Sequence, residues 1–153
     1  MKSSRTKLLL AGSLLGLSLG AAHAAAPLPP LQHRGATEYL SGGIGKDEAR
    51  AIEAAAPLWP LTLEFAVQHK QRADFAADVK VQLRDAKGMD VLQATADGPF
   101  LLAKLPPGRY GIEASFAGKT LQRMVVVKQG QPAKAVFVWP AGTGEGQAHG
   151  ARP

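Results

Sequence analysis

From Leu61 onward the apolar residues of this chain fall two apart, the period of a strand with one face buried. Leu61, Leu63, Phe65 and Val67 alternate with Thr62, Glu64 and Gln68, and Val79, Val81 and Leu83 alternate with Lys80, Gln82 and Arg84. Shorter and less regular runs follow at Met89–Thr95 and Phe100–Leu105. Tyr110, Ile112, Ala114 and Phe116 restore the alternation, and the pairs Val125/Val127 and Val136/Val138 mark two last strands, seven in all. Upstream of Pro57 the spacing changes to three and four: Ala49, Ile52 and Ala56 share one face of a helix predicted over Lys46–Ala56. Asp47 and Glu48 occupy its first turn, where the helix dipole favours acids. So narrow an apolar stripe suits a helix that lies across a sheet or covers its edge.

The connections have the residues that turns require. Asp85-Ala86-Lys87-Gly88 and Ala117-Gly118-Lys119 put glycine where a tight hairpin takes positive φ. Pro106-Pro107-Gly108-Arg109 reads as a type II turn with Gly108 left-handed, so that alanine at Gly108 is expected to cost about 1 kcal/mol or more. Short strands joined by tight turns pair antiparallel, because parallel pairs need long crossovers.

The N-terminus changes the picture from a β domain to an exported one. Lys2, Arg5 and Lys7 precede an apolar run over Leu8–Leu19, and Ala22-His23-Ala24 supplies a small-x-small cleavage site, the pattern of a signal peptide cut near Ala24. The apolar run, interrupted by Gly12 and Gly16, is shorter than the ~20 residues of a membrane span. The expectation is a periplasmic or secreted protein with no stable membrane insertion. Residues 25–36, with Pro27, Pro29 and Pro30, read as a spacer, 37–140 as the folded domain, and the glycine-rich residues 141–153 as a disordered tail. The leader also carries much of the basicity: without Lys2, Arg5 and Lys7 the net charge falls from +6 to +3. That removes the main support for nucleic-acid binding. The chain has no cysteine, which excludes disulfide and thiol chemistry.

The residues Gly98-Pro99-Phe100, then Leu105-Pro106-Pro107-Gly108-Arg109-Tyr110, then Gly118 at a hairpin tip resemble the carboxypeptidase regulatory-like domain family. The resemblance covers about Phe75 to Trp139, and the leading piece from Tyr39 through Glu64 is similar to small exported proteobacterial proteins bearing such a domain. It implies a transthyretin-like fold and a module that accompanies enzymes, transporters or surface proteins without chemistry of its own. The zinc-binding His-x-x-Glu of the peptidase domain is missing, and the chain ends Gly-Ala-Arg-Pro rather than in the Tyr-Arg-Gly-Ser of the transthyretin-like hydrolases.

Candidate chemistry is sparse. Gly42-Gly43-Ile44-Gly45-Lys46 before a helix invites a phosphate-loop reading, but Asp47 stands where Ser or Thr would hold magnesium, and a close-packed turn explains the glycines. His33, His69 and His149 have no partner at ligand spacing. Asp74, Asp78, Asp85, Asp90 and Asp97 sit near turns, where carboxylates bond nearby amides, rather than in a calcium loop. Beyond the leader the only serines are Ser41 and Ser115, without a Gly-x-Ser-x-Gly. One basic group remains as a candidate partner contact: His69, Lys70 and Arg72 in a loop, with Lys80 and Arg84 on a strand's polar face.

The reading is therefore an all-β protein, an antiparallel seven-stranded sandwich of the immunoglobulin-like or prealbumin-like kind with one short N-terminal α-helix. It serves as a non-catalytic binding or accessory module of the bacterial envelope, with no cofactor and another envelope protein as partner. A small-molecule or metal carrier and a transthyretin-like hydrolase are the alternatives.

Overall fold

The computed structural model describes residues 26–145, except for the side chain of Arg72. The leader and its cleavage site lie outside the described residues, as does the tail from residue 146 onward. Ten strands and one α-helix form two packed sheets. The strands are β1 (Gln32–Arg34), β2 (Thr37–Gly42), β3 (Leu61–His69), β4 (Arg72–Phe75), β5 (Val79–Arg84), β6 (Asp90–Ala96), β7 (Phe100–Lys104), β8 (Gly108–Phe116), β9 (Lys119–Val127) and β10 (Ala133–Trp139). Helix α1 spans Lys46–Ala55, and a single 3-10 turn over Ala56–Leu58 follows it.

One sheet runs β1-β2-β7-β3-β10, with β4 paired to the far half of β3; the other runs β6-β5-β8-β9. The seven expected strands are β3 and β5 to β10, and three more, β1, β2 and β4, raise the count to ten. The antiparallel expectation holds for every pair but one. β10 lies parallel to β3 over its whole length, Ala133 beside Leu61 through Trp139 beside Val67. The long excursion through the second sheet supplies the crossover that a parallel pair needs.

The core between the sheets is built from the alternating residues. Leu61, Leu63, Phe65, Phe137 and Trp139 meet Val81, Leu83, Tyr110 and Ile112, all buried. A second, smaller core explains the irregular runs. On the outer side of the larger sheet Ile52 of α1 packs with Leu40, Trp59, Phe100 and Leu102. In β7, then, Phe100 and Leu102 face the helix while Leu101 and Ala103 face the sandwich, and four consecutive residues are buried.

Three boundaries differ from the sequence reading. Gln32–Arg34, expected in the spacer, pairs antiparallel with Thr37–Tyr39 as a hairpin. Residues 141–145, expected to be disordered, form a turn that buries Thr143, whose hydroxyl donates to the Pro140 carbonyl at 2.7 Å. Gly108 is not left-handed; it opens β8 opposite Val127, with an ordinary negative φ. The chain bends at Pro107 instead, and Tyr110 holds the corner by donating its hydroxyl to the Pro106 carbonyl at 2.6 Å.

The other turns follow their residue types. Asp85 accepts the amides of Lys87 and Met89 at 2.9 and 3.0 Å, and Gly88 has φ +80. Ala117 and Gly118, at φ +48 and +77, form the two-residue β8–β9 hairpin. The Gly42–Gly45 segment is a close-packed junction: a Cβ on Gly98 would overlap the Gly42 carbonyl. Glu48, in the first turn of α1, reaches back to accept the Gly43 amide at 2.7 Å. Next to it Ser41, buried, donates to Asp97 at 3.0 Å and accepts the Asp97 amide at 3.1 Å.

Candidate binding surfaces

Two faces of the sandwich stand out, one apolar and one polar. The apolar one is the part of the larger sheet that α1 leaves uncovered. Register places Phe75, Ala66 and Val138 side by side in one row across β4, β3 and β10, and Val136 beside Glu64 in the next. Phe75 is 60% exposed, and Val136 and Val138 are each 40% exposed. The Phe75 ring leans on Phe100 with centroids 5.8 Å apart, so the open row is continuous with the covered core. The Lys134–Glu64 ion pair, at 2.6 Å, forms a polar margin.

Towards the end of α1, past Glu64, lies a groove of about 360 Å³ lined by Glu53, Ala56, Thr62, Phe100, Ala133 and Lys134. Pro57 and Pro132 line both this groove and a second of about 420 Å³ around Trp59 and Leu105. Leu58 stands beside them, 86% exposed. Exposed apolar side chains grouped in this way mark a candidate docking surface.

The polar face is the outer side of the smaller sheet. Its register sets side chains in rows: Thr95, Lys80, Ser115 and Thr120, then Gln93, Gln82, Glu113 and Gln122. Below them come Arg84, Gly111 and Met124. Of the five basic residues singled out above, Lys80 and Arg84 lie here, on one strand. His69, Lys70 and Arg72 form the tip of the β3–β4 hairpin in the other sheet, and the structure does not join the two groups. His69 Nδ1 lies 3.7 Å from an Asp74 carboxylate, and Lys70 is left-handed at φ +50. The Arg72 side chain lies outside the description.

Arg84 is the more engaged of the two face residues. Its Nε donates to Asp90 at 3.0 Å, and Glu113 lies 3.9 Å from its Nη1. Asp90 also accepts from Gln82 and Gln93 at 2.8 and 2.9 Å. The hydrogen bond from Arg84, then that from Gln82, holds the Asp90 carboxyl below its ordinary pKa. Arg84 is thus balanced within the fold, whereas Lys80 makes no ion pair among the described residues. Arg34 escaped the sequence reading because it comes from the other sheet. Thr37 donates to the Val91 carbonyl at 2.7 Å, tying the β1–β2 hairpin to the edge of β6. Arg34 therefore lines a concavity with Lys80 and Gln93.

Among the described residues no three His, Asp or Glu side chains gather as metal ligands, and no helix is long and apolar enough to cross a membrane. No family model and no curated protein sequence matches the chain.

Proposed function

We propose that this chain is an exported, non-catalytic binding module of the bacterial cell envelope, of the carboxypeptidase regulatory-like kind, and that it holds another protein against the uncovered part of its larger sheet. The observation that carries the reading is the exposed apolar set Phe75, Val138 and Val136, grouped about a buried Ala66 beside the helix-covered part of the same face. Burying such side chains is worth about 25 cal/mol per Å² of apolar surface removed from water. The Glu64–Lys134 margin adds orientation more than affinity. The turn residues Gly98-Pro99-Phe100 and Pro106 to Tyr110, which carry the family resemblance, act in this fold as a backbone crossing and a hydrogen-bonded corner.

Site-specific photo-crosslinking in intact cells tests the reading. A benzoylphenylalanine at Val136 is expected to trap one discrete protein that the same probe at Gln93 does not. In the chain carrying the probe at Val136, Val138→Asp should remove that adduct while leaving the chain folded by circular dichroism. Equal adducts from both positions, or none from Val136, would reject the apolar row as the docking surface.

A further inference from the structure

We infer that the partner is held by strand addition: an extended segment of it, apolar at alternate positions, pairs through its backbone with the free edge of β10 and lengthens the larger sheet. This mode of binding rests on the docking surface proposed above and specifies how that surface is occupied. β10 ends the sheet, with β3 as its one neighbour there. The Ala133 amide donates to the Pro60 carbonyl at 2.9 Å. Main-chain groups alternate sides along a strand, so Ala133, Ala135, Phe137 and Trp139 direct theirs at β3, whereas the N–H and C=O groups of Lys134, Val136 and Val138 point away from it. No hydrogen bond among the described residues takes these groups up. Donors and acceptors repeated at every second residue are matched by another extended backbone.

The other edge strands carry devices against such pairing. β1 and β4 are short, at three and four residues. β6 has the β1–β2 hairpin against it, with Thr37 bonded to the Val91 carbonyl, and its register with β5 shifts at Leu83/Arg84. β9 turns Arg123 inward, its guanidinium 5.7 Å from the centre of the Phe137 ring, and an inward charge keeps an edge from pairing. β10 has none of these. Its register with β3 is unbroken from Ala133 to Trp139. Its one charged side chain, Lys134, is drawn back to Glu64 on β3 at 2.6 Å, away from the edge. Pro132 and Pro140 close the stretch at its two ends. The edge also selects the segment. Side chains of an added strand would stand beside Val136 and Val138, where branched or aromatic residues pair best. Two copies of this chain paired flush and antiparallel would set Lys134 of each beside Val138 of the other, so a foreign segment that is apolar at both positions fits the edge better than β10 itself.

The test compares two variants of the full chain carrying benzoylphenylalanine at Val136, crosslinked in intact cells. Val138→Pro removes an outward N–H and no bond to β3, a place where an edge strand tolerates proline. Val138→Ala also loses the branched side chain but keeps the amide. The partner adduct should be about tenfold weaker in Val138→Pro than in Val138→Ala, the worth of a hydrogen bond. Equal adducts from the two overturn strand addition and leave the docking surface standing, whereas no adduct even from the chain with Val138 intact overturns both. An adduct that is a second copy of this chain also overturns the inference. A second measurement leaves β10 unaltered. In the free chain, amide exchange read by mass spectrometry should be at least about tenfold faster at Val136 and Val138 than at Ala135 and Phe137. In the adduct formed through a probe at Phe75 it should slow about tenfold at Val136 and Val138. Slow exchange at those two amides in the free chain, or unchanged exchange in the adduct, overturns strand addition.

Discussion

At the level of single residues, the two turns that frame β8 behave differently although both contain glycine. Gly108 has an ordinary φ, and a Cβ there would meet only the Tyr110 ring at 3.6 Å, normal van der Waals contact. Gly108→Ala should therefore change stability by less than about 0.5 kcal/mol in denaturant titration, in contrast to the cost that the turn pattern suggests. Ala117 carries the strain instead. It has φ +48, where a Cβ crowds the following carbonyl, at the first central position of a two-residue hairpin that prefers asparagine or glycine. Ala117→Asn should stabilise the protein by about 1 kcal/mol, read as a higher denaturant midpoint with unchanged slope. The turn chemistry was legible at Gly88 and Gly118, where neighbouring strands come straight back. It was not legible at Gly108, because the same Pro-Pro-Gly letters serve a corner fixed by a tyrosine four residues away.

At the level of elements, legibility followed how many faces of a strand are buried. β5 and β8 read clearly because their burial alternates, and β3 because Thr62 and Glu64 keep its outer positions polar although Thr62 and Ala66 are buried there. β2 did not, since Tyr39 points into the sandwich while Leu40 lies under α1, which removes the period. β1 and β4 are too short and polar to give one. The polar face was half legible: alternation alone places Lys80 and Arg84 together, but no local signal brings Arg34 from the other sheet. The helix earned its position through Ile52, fully buried against Leu40, Phe100 and Leu102. Ile52→Ala should cost about 3 kcal/mol and Phe100→Ala a similar amount, by chemical denaturation. Equal midpoints for Ile52→Ala and wild type would mean that α1 adds nothing to the stability of the sheet beneath it.

At the level of the whole molecule, Asp90, Glu38 and Tyr110 have shifted titration, and they act at opposite ends of the pH scale. Asp90 and Glu38 both have depressed pKa values, the first through Arg84 and Gln82, the second through its hydrogen bond from Lys104. Their contribution is present above the ordinary carboxylate range and is lost as pH falls through their lowered values. Melting temperature should thus drop on acidification below about pH 4, and Asp90→Asn should flatten part of that drop. Tyr110 is the converse case. Burial, then the charge of Asp85, raises its pKa, so the unfolded chain ionises first. Stability is intact below about pH 10 and lost as pH rises further, a loss that Tyr110→Phe should reduce in a pH series of thermal melts.

The parallel pairing of β10 with β3 has a consequence for how the chain comes to be folded. The partner of the first long strand is the last one made, separated from it by the entire second sheet. Until Trp139 has emerged, β3 lacks a neighbour along one side, and Phe65 lacks the Phe137 and Trp139 rings that pack on it at 5.8 and 6.4 Å. A chain delivered with its N-terminus first therefore stays open until synthesis or transport is complete, and closes late and slowly, as long-range pairings do. A nascent chain halted before Ala133 should remain sensitive to protease, and one extended past Glu145 should become resistant.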